Sequence, residues 1–257
     1  MKILKTKEDL RQWKILTANS SVGFVPTMGA LHQGHVTLLE RAVKENSFSV
    51  LSIYVNPTQF NQASDFEKYP ITLEQDLDLA KKAGVSAVFL PTYELIYPDE
   101  YKFRIIAPDL TNILCGQFRP GHFDGVLTVV NKLFHLVDPT ISYFGEKDYQ
   151  QFILIQKMTA AFHLKTEVVG VPTVREPSGL AMSSRNTRLS EAGKSKAAFL
   201  YKALTEYPDL AQAQSMLKQL GFEVEYLEDH FGRRFVAAWL EGVRLIDNVS
   251  LKSRGGR

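Results

Sequence analysis

Two imidazoles flank a glycine in His32-Gln33-Gly34-His35, inside the longer run Pro26-Thr27-Met28-Gly29-Ala30-Leu31-His32-Gln33-Gly34-His35. An apolar, β-branched run, Val22–Val25, precedes it, and an amphipathic run, Val36–Lys44, follows. The segment therefore stands where a strand hands over to a helix. Unpaired backbone N–H groups and the positive end of the helix dipole collect at such a terminus and favour an anion there. Gly34 admits close approach to the backbone, and His32 and His35 add donors. A nucleotide phosphate is the anion this arrangement suits best.

Three further segments follow predicted strands. In Asn56-Pro57-Thr58-Gln59-Phe60, Pro57 stops the strand, and Asn56 and Gln59 offer neutral donors and acceptors fit for a hydroxylated acid; a plain turn remains the alternative. Gly145-Glu146-Lys147-Asp148-Tyr149-Gln150-Gln151 puts a point charge, Lys147, beside a residue placed to cap the next helix, Asp148. Spacings of three and four residues allow Lys147, Asp148 and Gln151 to share one helical edge. The stretch Arg175–Arg188 contains Met182-Ser183-Ser184-Arg185-Asn186. Its hydroxyl and guanidinium groups suit a flexible loop that closes over a reacting phosphate, although an inter-domain linker has similar composition.

The elements that must position these groups alternate. Strands are predicted at Val22–Pro26, Phe48–Val55, Ala87–Leu90, Ile141–Phe144 and Thr166–Val171. Between them lie helices carrying Leu38, Leu39, Ala42 and Val43, then Thr72–Ala83, Gly125–Val137 and Asp148–Phe162. This order predicts an α/β fold, a Rossmann-like doubly wound parallel sheet with ligands at the carboxyl ends of its strands. After Pro172 the pattern changes to helices at Glu191–Leu204 and Asp209–Leu220 and to antiparallel strands at Phe222–Tyr226, Arg234–Trp239 and Val243–Ile246. The expected division is residues 1–173 as the nucleotide-binding domain and 174–257 as a smaller C-terminal α+β domain.

Composition narrows the class. The chain has 257 residues, a formal net charge of +2, 45% hydrophobic and 23% charged residues. A balance so near neutral gives no reason to expect a nucleic-acid or membrane partner. Cys115 is the only cysteine, so an internal disulfide or a thiolate metal cage is impossible. The stretch Met1–Lys14 lacks a signal-peptide core, and no apolar run approaches the ~20 residues of a membrane span. The expectation is a cytoplasmic, soluble protein whose basic, glycine-rich end, Lys252–Arg257, is a frayed terminus. The Gly-x-x-x-x-Gly-Lys-Ser/Thr and Gly-x-Gly-x-x-Gly phosphate loops are both absent. A nucleotide must then be gripped by histidines at a helix end.

Taken together, the four segments resemble the pantothenate synthetase (pantoate–β-alanine ligase) family of the HxGH nucleotidylyltransferase superfamily. The likeness runs from about Val22 to Arg188 and returns at Gly221–Tyr226 and Arg244–Val249. It implies ATP-dependent condensation of pantoate with β-alanine through a pantoyl adenylate, releasing pyrophosphate and AMP. It implies that Met28, Gly29, Ala30, Leu31, His32, Gln33, Gly34 and His35 line the ATP site, with His35 as the catalytic histidine. Gly145, Glu146, Lys147 and Asp148 would also contact ATP, Lys147 through phosphate and Asp148 through ribose. Val174 would meet adenine by its backbone, and Met182, Ser183, Ser184 and Arg185 would close over the phosphates. Gln59 and Gln151 would hold pantoate, Gln59 would also lie near β-alanine, and His122 matches a further histidine of the cavity. Mg2+ would accompany ATP, and the resemblance implies a homodimer.

Two departures stand out. Where the family often has an acidic run, this chain reads Glu74-Gln75-Asp76, so any protein ligand to a metal rests on Asp76. The region after Arg188 also reads as shorter than usual, which makes the C-terminal domain a reduced lid. Two alternatives stay open at this point: another HxGH nucleotidylyltransferase, or a non-catalytic nucleotide-binding protein.

Overall fold

The computed structural model describes Met1–Leu251, with Ala63 and Ser64 described by backbone only. The expectation for Lys252–Arg257 falls outside the described residues. The chain forms two compact units, one of residues 1–146 and 150–171, the other of residues 147–149 and 172–257. The division expected from sequence, between 173 and 174, instead assigns 147–149 to the first part.

Unit 1 is built on six strands: β1 (Lys2–Leu4), β2 (Val22–Thr27), β3 (Phe48–Ile53), β4 (Ala87–Phe89), β5 (Ile141–Gly145) and β6 (Glu167–Val171). Their order is β1-β4-β3-β2-β5-β6, and every pairing is parallel. Continuous apolar runs such as Val22-Gly23-Phe24-Val25 suit strands covered on both faces. One face packs Val25, Leu51 and Val88 against Leu38, Leu39 and Ala42 of α2 (Gln33–Glu45) and Ala80 of α3 (Leu73–Lys82). On the other face Phe24 meets Phe134 of α4 (His122–Val137) edge-on, with ring centres 6.4 Å apart. Helices α1 (Lys7–Thr17) and α5 (Tyr149–Ala161) complete this unit's regular elements of ten or more residues.

The Rossmann-like parallel sheet is as expected, with one addition. Strand β1 and helix α1 are absent from the sequence expectation, because Met1–Lys14 mixes charged and apolar residues too evenly to show a period. Helix α1 is nonetheless well specified: Thr6 accepts from Asp9 N, and the Asp9 carboxylate accepts from Thr6 N, a reciprocal capping box.

After β2 the chain builds β3 and β4 on one side, then crosses to place β5 on the other. Strands β2 and β5 pair only at Gly23 with Ile141 and Phe24 with Ser142, although they continue to Thr27 and Gly145. Ladder pairing thus ends well before their carboxyl ends. That is the topological switch point at which sheets of this type bind ligands.

Unit 2 packs α6 (Glu191–Ala197), α7 (Phe199–Thr205) and α8 (Leu210–Gln219) on a three-stranded antiparallel sheet, β7 (Glu223–His230), β8 (Arg233–Leu240) and β9 (Val243–Ser250). Its core joins Leu200, Leu204, Ala213 and Leu217 to Val236, Ala238 and Leu245. The strands exceed their expected lengths because two-residue turns, Phe231-Gly232 and Glu241-Gly242, hold all four residues at positive φ and continue the ladders almost to their tips. The helix expected over Glu191–Leu204 is instead two, meeting at Ala198.

Candidate active site

The turn after β2 is held by its own imidazoles. His32 is the N-cap of α2, and its Nδ1 accepts from Gly34 N at 3.1 Å. His35 Nδ1 accepts from His32 N at 3.3 Å. The ring centres lie 4.1 Å apart, tilted by 43°. Imidazoles thus fill the capping role more often taken by Ser, Thr, Asp or Asn. With both Nδ1 atoms accepting, the neutral tautomer carries its proton on Nε2, so each ring is a donor through that atom.

The approach to this turn is tight. Gly29 has φ +80° and Ala30 φ +49°, the left-handed region that a side chain disfavours. A Cβ on Gly29 would stand 2.9 Å from Asp76 Oδ2. Asp76, buried in the first turn of α3, accepts from Ala30 N at 2.9 Å and Leu31 N at 2.8 Å.

The turn after β3 is held by neutral groups. Pro57–Gln59 is a 3₁₀ turn, and Asn56, 1% exposed, is its hub. Asn56 Nδ2 donates to Gln59 Oε1 at 3.1 Å and to Gly125 O at 3.3 Å. Asn56 Oδ1 accepts from Tyr97 Oη at 2.9 Å and Thr58 Oγ1 at 3.0 Å. Gln59 Nε2 then donates to Met28 Sδ at 3.0 Å, so the β2 and β3 exits touch. His122, at the start of α4, and Arg119 both meet the Gln59 carbonyl, at 2.7 and 3.2 Å, and Arg119 Nη1 is 3.0 Å from His122 Nε2. Burial pushes the Tyr97 phenol far above its ordinary pKa, which keeps it a donor. The structure therefore brings Met28, His32, His35, Gln59 and His122 onto neighbouring strand ends.

Strand β5 delivers Gly145 to the other side of β2, with open space where a Cβ would stand. Glu146–Asp148 then forms a 3₁₀ turn, and helix α5 begins only at Tyr149. One expectation changes here, while Asp148, its carboxylate 3.8 Å from Lys147 Nζ, ends the 3₁₀ turn and immediately precedes Tyr149. Because Lys147 and Asp148 precede α5, they do not share a helical edge with Gln151. Gln151 is half-buried on α5, whereas its neighbour Gln150 is a structural brace. Gln150 accepts from Cys115 N and donates to Leu110 O and Ile113 O.

In unit 2 the stretch after β6 is more ordered than a linker. Arg175 pairs with Ala181 in an antiparallel bridge, and Met182 N donates to Val174 O at 3.0 Å. Ser183 caps a 3₁₀ helix, Ser184–Arg188, by accepting from Arg185 N at 3.3 Å. Arg175, counted with the phosphate clamp from sequence, is instead a scaffold residue. It makes a two-pronged contact with buried Asp247 at 2.6 and 2.9 Å and stacks 4.0 Å over the Tyr201 ring. Lys147 O accepts from Asn248 Nδ2, so β9 also steadies the lysine's backbone.

Sequence reading missed the roles of Asp76, Tyr97, Arg119 and Asp247. Asp76 and Tyr97 carry no local signal, being distant in sequence from the turns they hold. Arg119 was more accessible, lying three residues before His122. For a metal, the described residues contain no group of three or more His, Cys, Asp or Glu arranged to hold one. The Asp76 oxygens already accept from two amides. A protein-built Mg2+ cage does not fit these side chains.

Parallel topology, the opened β2/β5 junction and the imidazole-capped helix define an α/β nucleotide-binding enzyme of the HxGH type. A profile of the pantoate-beta-alanine ligase family matches residues 2–250. The pantothenate synthetase of Bdellovibrio bacteriovorus is 50% identical over 249 residues, 97% of this chain and 99% of that protein. The pantothenate synthetase of Legionella pneumophila strain Corby is 45% identical over 247 residues, 95% and 98% of the two chains. Among solved structures, the Francisella tularensis pantoate-beta-alanine ligase, complexed with beta-gamma ATP and beta-alanine, superposes with a TM-score of 0.93 at 38% identity, covering 98% of each chain. The Thermus thermophilus enzyme gives 0.89 at 41% identity over 98% and 99%. The chain belongs to the pantoate-beta-alanine ligase family.

Proposed function

We propose that this chain performs the ligation for which its family is named, and that the turn after β2 does the phosphate chemistry while the turn after β3 holds the acid. A pantoate carboxylate oxygen attacks the α-phosphorus of ATP; the bond to the bridging oxygen breaks and pyrophosphate leaves. The amine of β-alanine then attacks the acyl carbon of the pantoyl adenylate, loses a proton, and AMP departs.

The supporting observation is the Gln59–Met28 contact, which ties a neutral amide corner to the β2 exit that leads into the paired imidazoles. A neutral corner binds hydroxyl and carboxylate groups without an ion pair that would blunt the nucleophile. Donors held rigidly before reaction stabilise charge developing on phosphorus. We assign that role to His35 Nε2–H, with His32 beside it, and to Lys147 and Arg185. We further assign Met28–His35 and Gly145–Asp148 to ATP, and Gln59, Gln151 and His122 to pantoate and β-alanine. Ser183 and Ser184 are assigned to phosphate and Met182 to closing over it. Val174 is assigned to adenine through its N–H, since its carbonyl already accepts from Met182. Closing of the Met182–Arg185 loop would protect the anhydride from water.

Mg2+ belongs to the proposal as the counter-ion of ATP, held by phosphate oxygens and water. A homodimer is carried by the family resemblance, and sedimentation velocity tests it. The described residues contain no helix long and apolar enough to cross a membrane. A cytoplasmic setting is part of the proposal.

The test is pantoate-dependent exchange of pyrophosphate into ATP, followed by AMP release on addition of β-alanine. Exchange without pantoate would support a different nucleotidyl transfer. Binding of ATP without any exchange would indicate a protein that keeps the cleft and lacks turnover.

A further inference from the structure

Asp76 stands outside every role assigned so far, yet it is among the most completely engaged side chains near the imidazole turn. It is 1% exposed, on the first turn of α3. Its Oδ2 accepts from Ala30 N at 2.9 Å, and its Oδ1 accepts from Leu31 N at 2.8 Å and Thr72 Oγ1 at 3.2 Å. The two amides belong to the strained approach, where Gly29 and Ala30 both take positive φ. Non-glycine residues persist in that region only where their surroundings over-determine the conformation. A carboxylate with both oxygens accepting does this here. The residue after Leu31 is His32, whose own N–H reaches His35 Nδ1. A short relay of backbone and ring bonds therefore runs from the α3 carboxylate to the proposed catalytic imidazole.

We propose that Asp76 is a positioning residue for adenylation: it clamps the Ala30–Leu31 amides and thereby sets the direction of His32 and His35. The inference rests on the function proposed above. It replaces a metal-ligand role for the only carboxylate in Glu74-Gln75-Asp76 that is buried against the turn.

Asp76→Asn keeps the shape and removes one acceptor, turning an NH2 group towards a backbone N–H. Small displacements of catalytic groups can lower rates by about 10²-fold. We expect single-turnover adenylation at saturating ATP and pantoate to fall roughly 10–100-fold, with the pantoate dissociation constant within about threefold of wild type. Ala80→Gly, buried in the same helix away from the turn, serves as the control. It should lower the denaturation midpoint and leave adenylation within about twofold. An Asp76→Asn enzyme adenylating at the wild-type rate overturns the proposal, as does an Ala80→Gly enzyme slowed as much at equal loss of stability. If Asp76→Asn does not fold, Thr72→Val decides. The Thr72 side chain makes no cap bond, so the change removes only a donor to Asp76. A roughly two- to fivefold slower adenylation supports the clamp, and an unchanged rate sinks it. Wild-type enzyme lacking pantoate-dependent exchange would instead refute the function itself.

Discussion

The exits of β2 and β3 sit at adjacent strand ends and are built in opposite ways. At β2 the groups proposed to meet phosphate are imidazoles, each using one ring nitrogen to cap its own helix, and the strained backbone before them depends on one buried carboxylate. At β3 the groups are amides and hydroxyls in a closed neutral network with Asn56 at its centre. The difference teaches where charge is tolerated. Donors with positive character suit a site where negative charge grows during reaction. A neutral network suits a nucleophilic carboxylate, whose reactivity an ion pair would reduce.

If that contrast holds, damage at β2 should appear in the rate of chemistry and damage at β3 in affinity for pantoate. The largest effect is expected from His35→Ala. It should slow adenylation by at least ~100-fold in rapid-quench experiments while circular dichroism shows the fold intact; Lys147→Ala should match it. A near-normal rate in either variant breaks the assignment.

Asn56→Ala comes next. It removes the buried hydrogen bonds Asn56 makes with Gln59, Gly125, Tyr97 and Thr58, at about 0.5–1.5 kcal/mol each. The pantoate KM should rise roughly tenfold or more, since each ~1.4 kcal/mol is a factor of ten. If kcat falls while KM stays, the β3 exit does chemistry and the contrast is wrong.

Gly125→Ala sharpens the same point without touching a polar side chain. The new Cβ would lie 2.5 Å from Thr58 O and 2.9 Å from Gln59 N, both backbone atoms that cannot move cheaply. A loss of about 1–3 kcal/mol in urea unfolding is expected, with weaker pantoate binding.

The smallest effect belongs to Tyr97→Phe, about 0.5–1.5 kcal/mol for each of the hydroxyl's contacts with Asn56 Oδ1 and Thr58 Oγ1. It also carries a pH signature. Burial raises the folded-state pKa of Tyr97, so its contribution is complete below the unfolded value near ~10 and lost as pH rises beyond it. The variant should lose less stability above that pH than wild type, as read from denaturation midpoints.

Much of this architecture was legible in the chain. The runs at Val22, Phe48 and Ile141 are apolar without alternation, which marks strands covered on both faces, and each is followed by residues able to recognise a ligand. The histidine turn, the Asn-Pro-Thr-Gln corner and the Gly-Glu-Lys-Asp segment were each found from composition and spacing. The starting strand and α1 were not, because a three-residue edge strand has too few positions to show a period. Arg175 was misjudged for a related reason: a guanidinium near serines reads alike whether it faces a phosphate or a buried Asp247.

What the sequence by itself determined are the properties carried by neighbours along the chain: the alternation that specifies a parallel sheet, the turn chemistry of unit 2, and the residue types at each strand exit. The tertiary structure alone decided which of those groups brace the fold and which stand at the strand ends. Asp76 is 46 and 45 residues from the amides it holds, and Asn56 is 41 from Tyr97. Contacts closed across such separations depend on how helices pack on the sheet, and no local pattern encodes them.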